Sequence, residues 1–293
     1  MKLGPHTSVV LLAGGEGRRF APLSTPEHPK QFLRLFGTRS LLQDTVARFA
    51  DVIPMDRIWL TTNHRYVTLS HVHLPALPPE NILAEPCKKN TAPAIALAAY
   101  RLYQRDPKAI MIVLPADHLI LQPTPFMDAI AHAEAMAQRD DLLLTLGIKP
   151  DRPATEYGYI EQGEPLSARA FLVKRFVEKP PPERAIAYLA SGHFYWNSGM
   201  FIWSARRLLA EMAQYLPEMY RAVKMAPTPE AFFATAAPVS IDYGLMEHSE
   251  RVATIPVECG WNDIGSWESV HRLVTEEGLQ VNADVTPYLE QYA

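Results

Sequence analysis

Three glycines, two arginines and a lysine crowd the start of the chain: Gly14, Gly15 and Gly17 in LLAGGEGRRF, Arg18 and Arg19 beside them, and Lys30 soon after in PEHPKQF. Glycines directly after an apolar run let backbone N–H groups turn toward an anion with no Cβ in the way. Arg adds a planar fork and Lys a point charge for phosphate oxygens. The glycines alone suit a plain tight turn between strand and helix equally well. Two phosphate motifs are excluded. No G-K-[ST] follows, so the loop is not a P-loop, and the second strand runs into Thr61, Thr62 and Asn63 with no acid for a ribose, so it is not a dinucleotide fingerprint.

Two acids stand where a hard cation could be held. Asp117 in LPADH follows a buried-looking apolar run, and Asp263 in CGWNDIGSW follows another, Thr254 to Val257. Ligands of open α/β sheets gather at the carboxyl ends of strands. Two carboxylates meeting there repel unless a cation lies between them, and Mg²⁺ takes one or two carboxylates together with phosphate oxygens. Each acid also has an ordinary reading, Asp117 as a cap or turn residue and Asp263 as a turn former beside Gly265. His118 reads as a hydrogen-bonding neighbour of Asp117. His71 and His73 have no third ligand in view, which fits a loop or strand end better than a metal site.

The elements that must position these groups alternate between short apolar runs and helical periods. Val9 to Leu12 reads as a strand, Ser40 with Gln43 as a capping box opening a helix through Phe49, and Arg57 to Thr61 as the next strand. Asn81 to Ala84 and Ala109 to Leu114 read as strands around a helix from Thr91 to Tyr103. Thr124 with Pro125 caps a helix to about Arg139, and Leu142 to Gly147 resumes the sheet. Beyond Lys149 the texture is α+β: an alternating Tyr/Ile stretch, a strand from Phe171 to Glu178, and helices from Pro182 to Ser191, Ser204 to Tyr215 and Ser240 to Glu247. Strands apolar on both faces and flanked by helices imply a mostly parallel sheet covered on both sides. No linker or repeat interrupts the chain, so one catalytic domain over 1–274 with a short tail over 275–293 is expected.

Composition narrows the partners. With 28 Lys+Arg against 32 Asp+Glu the net charge is −4, so no global basic field draws the chain to nucleic acid or anionic lipid. Apolar residues make up 48% and charged residues 20%, ordinary for a globular domain. The two cysteines, Cys87 and Cys259, form no disulfide framework and lack metal-ligand spacing, which fits a reducing cytoplasm. No apolar run approaches the ~18 residues of a membrane span. The 26 prolines outnumber the 14 glycines, the reverse of average usage, and stiffened loops of this kind accompany heat adaptation.

Eight ordered blocks, LAGGEGRRFAPLS…PKQF, AEPCKKNTAPAIALAA, LPADHLI, GIKPDRPATEYGYIE, FVEKP, YWNSGMFIW, IDYGLMEH and GWNDIGSW, together closely resemble the mannose-1-phosphate guanylyltransferases. These belong to the sugar-nucleotide pyrophosphorylases, and the resemblance covers about residues 8 to 270. It implies a Rossmann-like nucleotidyltransferase fold of the glycosyltransferase-A kind, Mg²⁺ dependence, and transfer of GMP from GTP to mannose 1-phosphate with release of pyrophosphate. A homodimer is a further expectation of the resemblance.

Carried over residue by residue, the resemblance puts the catalytic arginine at Arg19 and the phosphate lysine at Lys30. Leu12, Ala13, Gly14, Gly15, Gly17 and Arg18 line the nucleotide loop, and Asp117 and Asp263 hold the metal. The resemblance implies sugar-phosphate contacts at Tyr157, Gly158, Glu178, Lys179 and Asn197. Guanine offers an N1–H and an amino group, both donors, and a carboxylate accepts two such bonds well. Glu85 is therefore expected to read the base, with Asn90, Thr91, Ala92 and Pro93 shaping its pocket. A solvated loop acid or a partner of Lys88 are its other readings. The chain departs from the family pattern at Glu16, Arg18, Ala21 and Glu156, and ending at Ala293 it is not expected to carry a phosphomannose isomerase region. Another sugar phosphate or nucleotide, or a homologue that only binds nucleotide sugar, are the competing functions. The second would be expected to lack Arg19, Lys30, Asp117 or Asp263, and all four are present.

Overall fold

In a computed structural model, which describes residues 2–290, a nine-stranded sheet runs through the molecule. Its strands are β1 Thr7–Leu12, β2 Ile58–Asn63, β3 Ile82–Glu85, β4 Ile110–Pro115, β6 Leu143–Ile148, β7 Tyr159–Ser167, β8 Ala170–Val177, β9 Phe194–Ser204 and β10 Val252–Pro256. A separate two-stranded ladder joins β5 Leu119–Ile120 to β11 Trp261–Asn262. The large sheet has the order β3-β2-β1-β4-β9-β6-β10-β8-β7. The contacts β2–β3, β1–β2, β1–β4 and β6–β10 are parallel, whereas β9 lies antiparallel between β4 and β6, and β8 antiparallel to β10 and β7. Only β8 and β9 thus run against the common direction, which is the mixed, mostly parallel sheet expected.

The side chains of β1 show how the sheet is covered. Val9 and Leu11 enter one buried cluster and Val10 the other, as do Ile110 and Ile112 against Met111 and Val113 on β4. Alternate residues of a strand face opposite sides, so both faces are covered. On the first face lie α1 Leu41–Ala47, α4 Pro123–Asp140 and α5 Pro182–Ser191, with α2 Val67–His73 packed at its margin. On the second lie α3 Thr91–Arg105, α6 Ala205–Tyr215, α7 Pro217–Met225 and α8 Pro229–Thr235. A third, smaller cluster joins Phe20, Leu33, Leu35 and Leu41 to Ile264 and to α9 Trp267–Thr275, with Val285 and Leu289 from the stretch that carries α10 Thr286–Leu289. No helix among the described residues is long and apolar enough to cross a membrane.

Several local expectations meet the structure directly. Ser40 Oγ accepts from Gln43 N at 3.3 Å while Gln43 Oε1 accepts from Ser40 N at 2.9 Å, closing the capping box. Others are corrected. The helix expected to be capped by Thr124 and Pro125 starts two residues earlier, at Pro123, whose fixed φ suits a first helical residue and which has no side-chain cap before it. The segment Ser240 to Glu247 forms a short π-helical turn, Asp242–Met246, rather than a regular helix. His71 and His73 lie on α2, not in a loop or strand end.

The central strand β9 was invisible to pattern reading because Asn197, Ser198 and Gly199 look like a turn. The strand passes straight through them as a bulge. Its pairing with β6 shifts from Thr145↔Phe201 to Gly147↔Asn197, with Gly199 at φ +69°. A bulge re-aims side chains, and here it serves the site.

Candidate active site

The carboxyl ends of β1, β2, β3, β4 and β10 lie along one edge. Leu12 is level with Pro115 across the β1–β4 ladder and Asn63 with Glu85 across β2–β3, so the glycine loop, Glu85 and Asp117 leave the sheet side by side.

The glycine loop is fixed from below. Gln31 Nε2 donates to Ala13 O at 2.8 Å and to Gly15 O at 3.1 Å, Thr62 Oγ1 donates to Ala13 O at 3.1 Å, and Ser24 Oγ donates to Gly17 O at 2.6 Å. With its carbonyls tied inward, the loop is free to present N–H groups outward. Gly17 sits at φ +59°, and a Cβ there would come within 2.6 Å of the Lys30 backbone nitrogen, so the glycine is what lets Lys30 pass behind the loop. Of the two arginines, Arg18 turns back onto Glu16, Nε to Oε2 at 2.7 Å. That pairing answers the acid in an anion loop and occupies Arg18. Arg19 instead lines a polar cavity of about 250 Å³ with Arg152, Tyr157, Asp263 and Arg272.

Lys30 is nearly fully buried. Its Nζ lies 3.0 Å from Asp117 Oδ2 and donates to the backbone oxygen of Asp263 at 2.6 Å. An ammonium has three donors, so one remains for a ligand. Asp117 and Asp263 meet because of the small ladder: Ile120 pairs with Trp261 and Leu119 with Asn262, and the next position opposes His118 to Asp263. The ladder continues behind, with Leu121 N to Gly260 O at 3.2 Å and Gln122 N to Cys259 O at 3.0 Å. Burial opposes ionisation of Asp117, yet the Lys30 ammonium outweighs it and holds the carboxyl below the usual aspartate range. Burial drives the His118 imidazole down to about 4 against the pull of Asp117. Trp261 Nε1 lies 3.1 Å from His118 Nδ1. An indole nitrogen only donates, so Nδ1 accepts and the proton of the neutral ring sits on Nε2. The His118 ring thus spends its Nδ1 lone pair on Trp261.

Glu85 is 7% exposed. Among the described residues no group hydrogen-bonds or ion-pairs with its carboxylate, Lys88 included. Burial alone pushes its carboxyl up to about 7. A Cβ on Gly14 would lie 3.2 Å from Glu85 Oε1, so the acid faces the glycine loop. Asn90 opens α3, its side chain accepting from Thr91 N at 2.9 Å, while Ala92 and Pro93 are buried. Thr91 Oγ1 and Ala92 N bind the backbone of Ile241 and Val239 at 2.9 and 3.1 Å, which ties this wall to the turn that bears Asp242.

The expected sugar-side residues gather beyond it. Gly158 backs directly onto Glu178, and its O accepts from Asn197 N at 2.8 Å. Lys179 ion-pairs with Glu178. Asn197 Nδ2 donates to Asp242 Oδ1 at 2.8 Å, the contact that the β9 bulge aims. Burial, then the nearby Glu178, pushes the Asp242 carboxyl up to about 6. Tyr157 departs from this group: its hydroxyl donates to Asp263 Oδ1 at 2.7 Å. Among the described residues, three of the four non-glycine ones with positive φ flank these subsites, namely Asn90 at +66°, Lys179 at +46° and Ile264 at +46°. Such strain persists where surrounding structure enforces it, and it collects at functional sites.

Sequence reading missed Gln31, Arg152 and Asp242. All three stand inside quoted blocks, but their roles are contacts with residues distant in the chain. The set also fits the implied Mg²⁺: the Asp117 carboxylate and the backbone oxygen of Asp263 both reach the Lys30 ammonium, which brings the two aspartates close together, and Mg²⁺ takes one or two carboxylates along with phosphate oxygens.

The nucleotidyl transferase family model matches residues 8–277. The chain belongs to that family. An Escherichia coli protein named mannose-1-phosphate guanylyltransferase is 38% identical over 284 residues, covering 92% of this chain and 60% of its own length. The Xanthomonas campestris xanthan biosynthesis protein XanB is 39% identical over 281 residues, with coverage of 92% and 60%. The chain therefore spans about three fifths of these curated relatives, 60% in each case. Among solved structures, a Thermus thermophilus protein described as a mannose-1-phosphate geranyltransferase superposes with a TM-score of 0.86 at 31% identity, covering 92% of this chain and 79% of that one. The nucleotidyl transferase fold and family expected from the eight blocks are thereby borne out.

Proposed function

We propose that the chain transfers GMP from GTP to mannose 1-phosphate, yielding GDP-mannose and pyrophosphate. The observation that carries this reading is the Glu85 carboxylate, buried without a partner and facing Gly14 of the phosphate loop. A buried unpaired acid is costly, and two ring donors of guanine would satisfy it where neither adenine nor uracil offers such a pair. The names of the relatives agree with this base and with this sugar phosphate.

In the reaction an oxygen of the sugar phosphate forms a bond to the α-phosphorus of GTP as the bond from that phosphorus to the α–β bridging oxygen breaks. The electron pair leaves with pyrophosphate, and no protein nucleophile is needed. Catalysis then consists of positioning and charge neutralisation. The glycine-loop N–H groups, the free donor of Lys30 and Arg19 would hold the triphosphate. Lys179 would meet the sugar phosphate, and Glu178, Asn197, Asp242 and the Gly158 backbone would take sugar hydroxyls. Mg²⁺, held by Asp117 and Asp263, would supply neutralisation of the phosphate charge that gathers there.

The test is pyrophosphate release from GTP with and without mannose 1-phosphate and Mg²⁺, alongside ATP, UTP and glucose 1-phosphate. Release that needs both mannose 1-phosphate and Mg²⁺ and prefers GTP is the expected result. Release with another pair would overturn the base or sugar assignment, and none at all despite GDP-mannose binding would make the protein a nucleotide-sugar binder.

A further inference from the structure

Tyr157 is held on every side, and by groups that have no evident business with a sugar. Its ring meets Trp196 edge-on at 5.0 Å and Trp261 at 5.3 Å between centroids. The Arg152 guanidinium lies over the Tyr157 ring at 5.5 Å and over Trp196 at 5.0 Å. Arg152 Nη2 donates to the Tyr157 hydroxyl at 3.3 Å, and that hydroxyl donates to Asp263 Oδ1 at 2.7 Å. The hydrogen bonds therefore run in one direction, from a cation through a phenol to a carboxylate, and the cation polarises the phenol toward the acid. Arg152 is steadied from outside by Glu156, Nη2 to Oε1 at 2.9 Å.

The other carboxylate oxygen, Oδ2, faces Gly265, where an added Cβ would stand 2.7 Å away. One oxygen is thus held by Tyr157 and the other is left beside a glycine. Trp261 links this arrangement to the second aspartate, since its ring packs on Tyr157 while its N–H fixes His118, the neighbour of Asp117. We propose that Tyr157 is a positioning residue, anchored by Arg152, that sets the orientation of the Asp263 carboxylate toward a divalent cation rather than binding the sugar. The proposal rests on the metal reading of Asp117 and Asp263. Hydrogen-bonding partners of metal ligands commonly alter metal affinity by 10- to 100-fold when removed.

The experiment measures Mn²⁺ binding to the full chain saturated with GDP-mannose, by water-proton relaxation, together with GDP-mannose binding in EDTA. Tyr157→Phe keeps the ring and its packing and loses only the hydroxyl. It should weaken Mn²⁺ about 10-fold, leave GDP-mannose binding in EDTA unchanged, and raise the Mg²⁺ concentration needed for half-maximal turnover. Arg152→Gln should move Mn²⁺ affinity the same way by a smaller factor, and it supplies the readout if the phenylalanine variant misfolds. Weakened GDP-mannose binding in EDTA with Mn²⁺ affinity within twofold of wild type would overturn the proposal and return Tyr157 to the sugar. Asp263→Asn separates the two levels: if it binds Mn²⁺ as wild type does, the metal assignment itself has failed, and the positioning role with it.

Discussion

The buried Glu85 carboxylate works against the stability of the fold, and under the proposed function the same burial would serve recognition of guanine. Its carboxyl titrates near 4.5 when exposed and is pushed up to about 7 by burial in the fold. The folded state therefore holds the proton more tightly than the unfolded state. Stability falls as pH rises through the window from about 4.5 to 7 and levels off above it. Glu85→Gln removes the titration. The variant should be more stable than wild type above pH 7, by at most about 3 kcal/mol, with the gain vanishing below about pH 4.5; urea melts across that range check it. The same variant should lose its preference for GTP over ATP and UTP, because an amide cannot accept both guanine donors through paired oxygens. Lys30 makes the complementary point. Its lysine type and its place after the glycine loop were readable, but the sequence held no sign that it would touch Asp117 and the backbone of a residue 233 positions away.

At the scale of elements, the decisive piece is the smallest. The β5–β11 ladder pairs only two residues from each strand, yet it sets both aspartates. Gly260 immediately precedes its second strand at φ +60°, and a Cβ there would stand 2.6 Å from Leu121 Cβ. Gly260→Ala should therefore cost about 1–3 kcal/mol through the left-handed backbone alone, with the clash added. Turnover should fall further than stability explains, because a displaced register misplaces Asp263 against Asp117. Urea midpoints compared with pyrophosphate release at saturating substrates check this, and a variant with lower stability but unchanged turnover would deny the ladder its positioning role. Nothing in pattern reading singled out these strands, since two-residue strands have no period. The larger elements were legible where a period or cap existed, as in the Ser40 box and α5, and illegible where a bulge broke the period, as in β9.

At the scale of the whole molecule, the last described residues fold back onto the third hydrophobic cluster. Asn282 Nδ2 donates to Arg34 O at 2.7 Å and Gly37 O at 2.8 Å, and Asn282 Oδ1 accepts from Gly37 N at 3.0 Å. Trp267 stacks on Tyr288 at 5.0 Å. These contacts hold Val285 and Leu289 in the cluster that contains Phe20 and Ile264, the neighbours of Arg19 and Asp263. Asn282→Ala deletes three hydrogen bonds at an exposed position, worth about 1–3 kcal/mol in all. Hydrogen exchange should quicken at residues 34–37 and 282–289 while β1 and β4 keep their protection, and turnover should drop modestly. Exchange that quickens evenly through the sheet would show global loosening instead of a local brace.

By itself the sequence determined what depends on neighbours within a few positions: a glycine loop after a buried strand, helix caps, strands apolar on both faces, and acids at strand ends. Through eight ordered blocks it also determined the family. The tertiary structure alone decided which of those groups meet. Lys30 reaches the backbone of Asp263, the Tyr157 hydroxyl donates to the carboxylate of the same aspartate, and Asn197 finds Asp242 through a bulge. Such pairings span tens to hundreds of residues, and no local period encodes them. They follow from register and burial, because a polar group enclosed by packing must be satisfied by whatever partner the sheet brings alongside it.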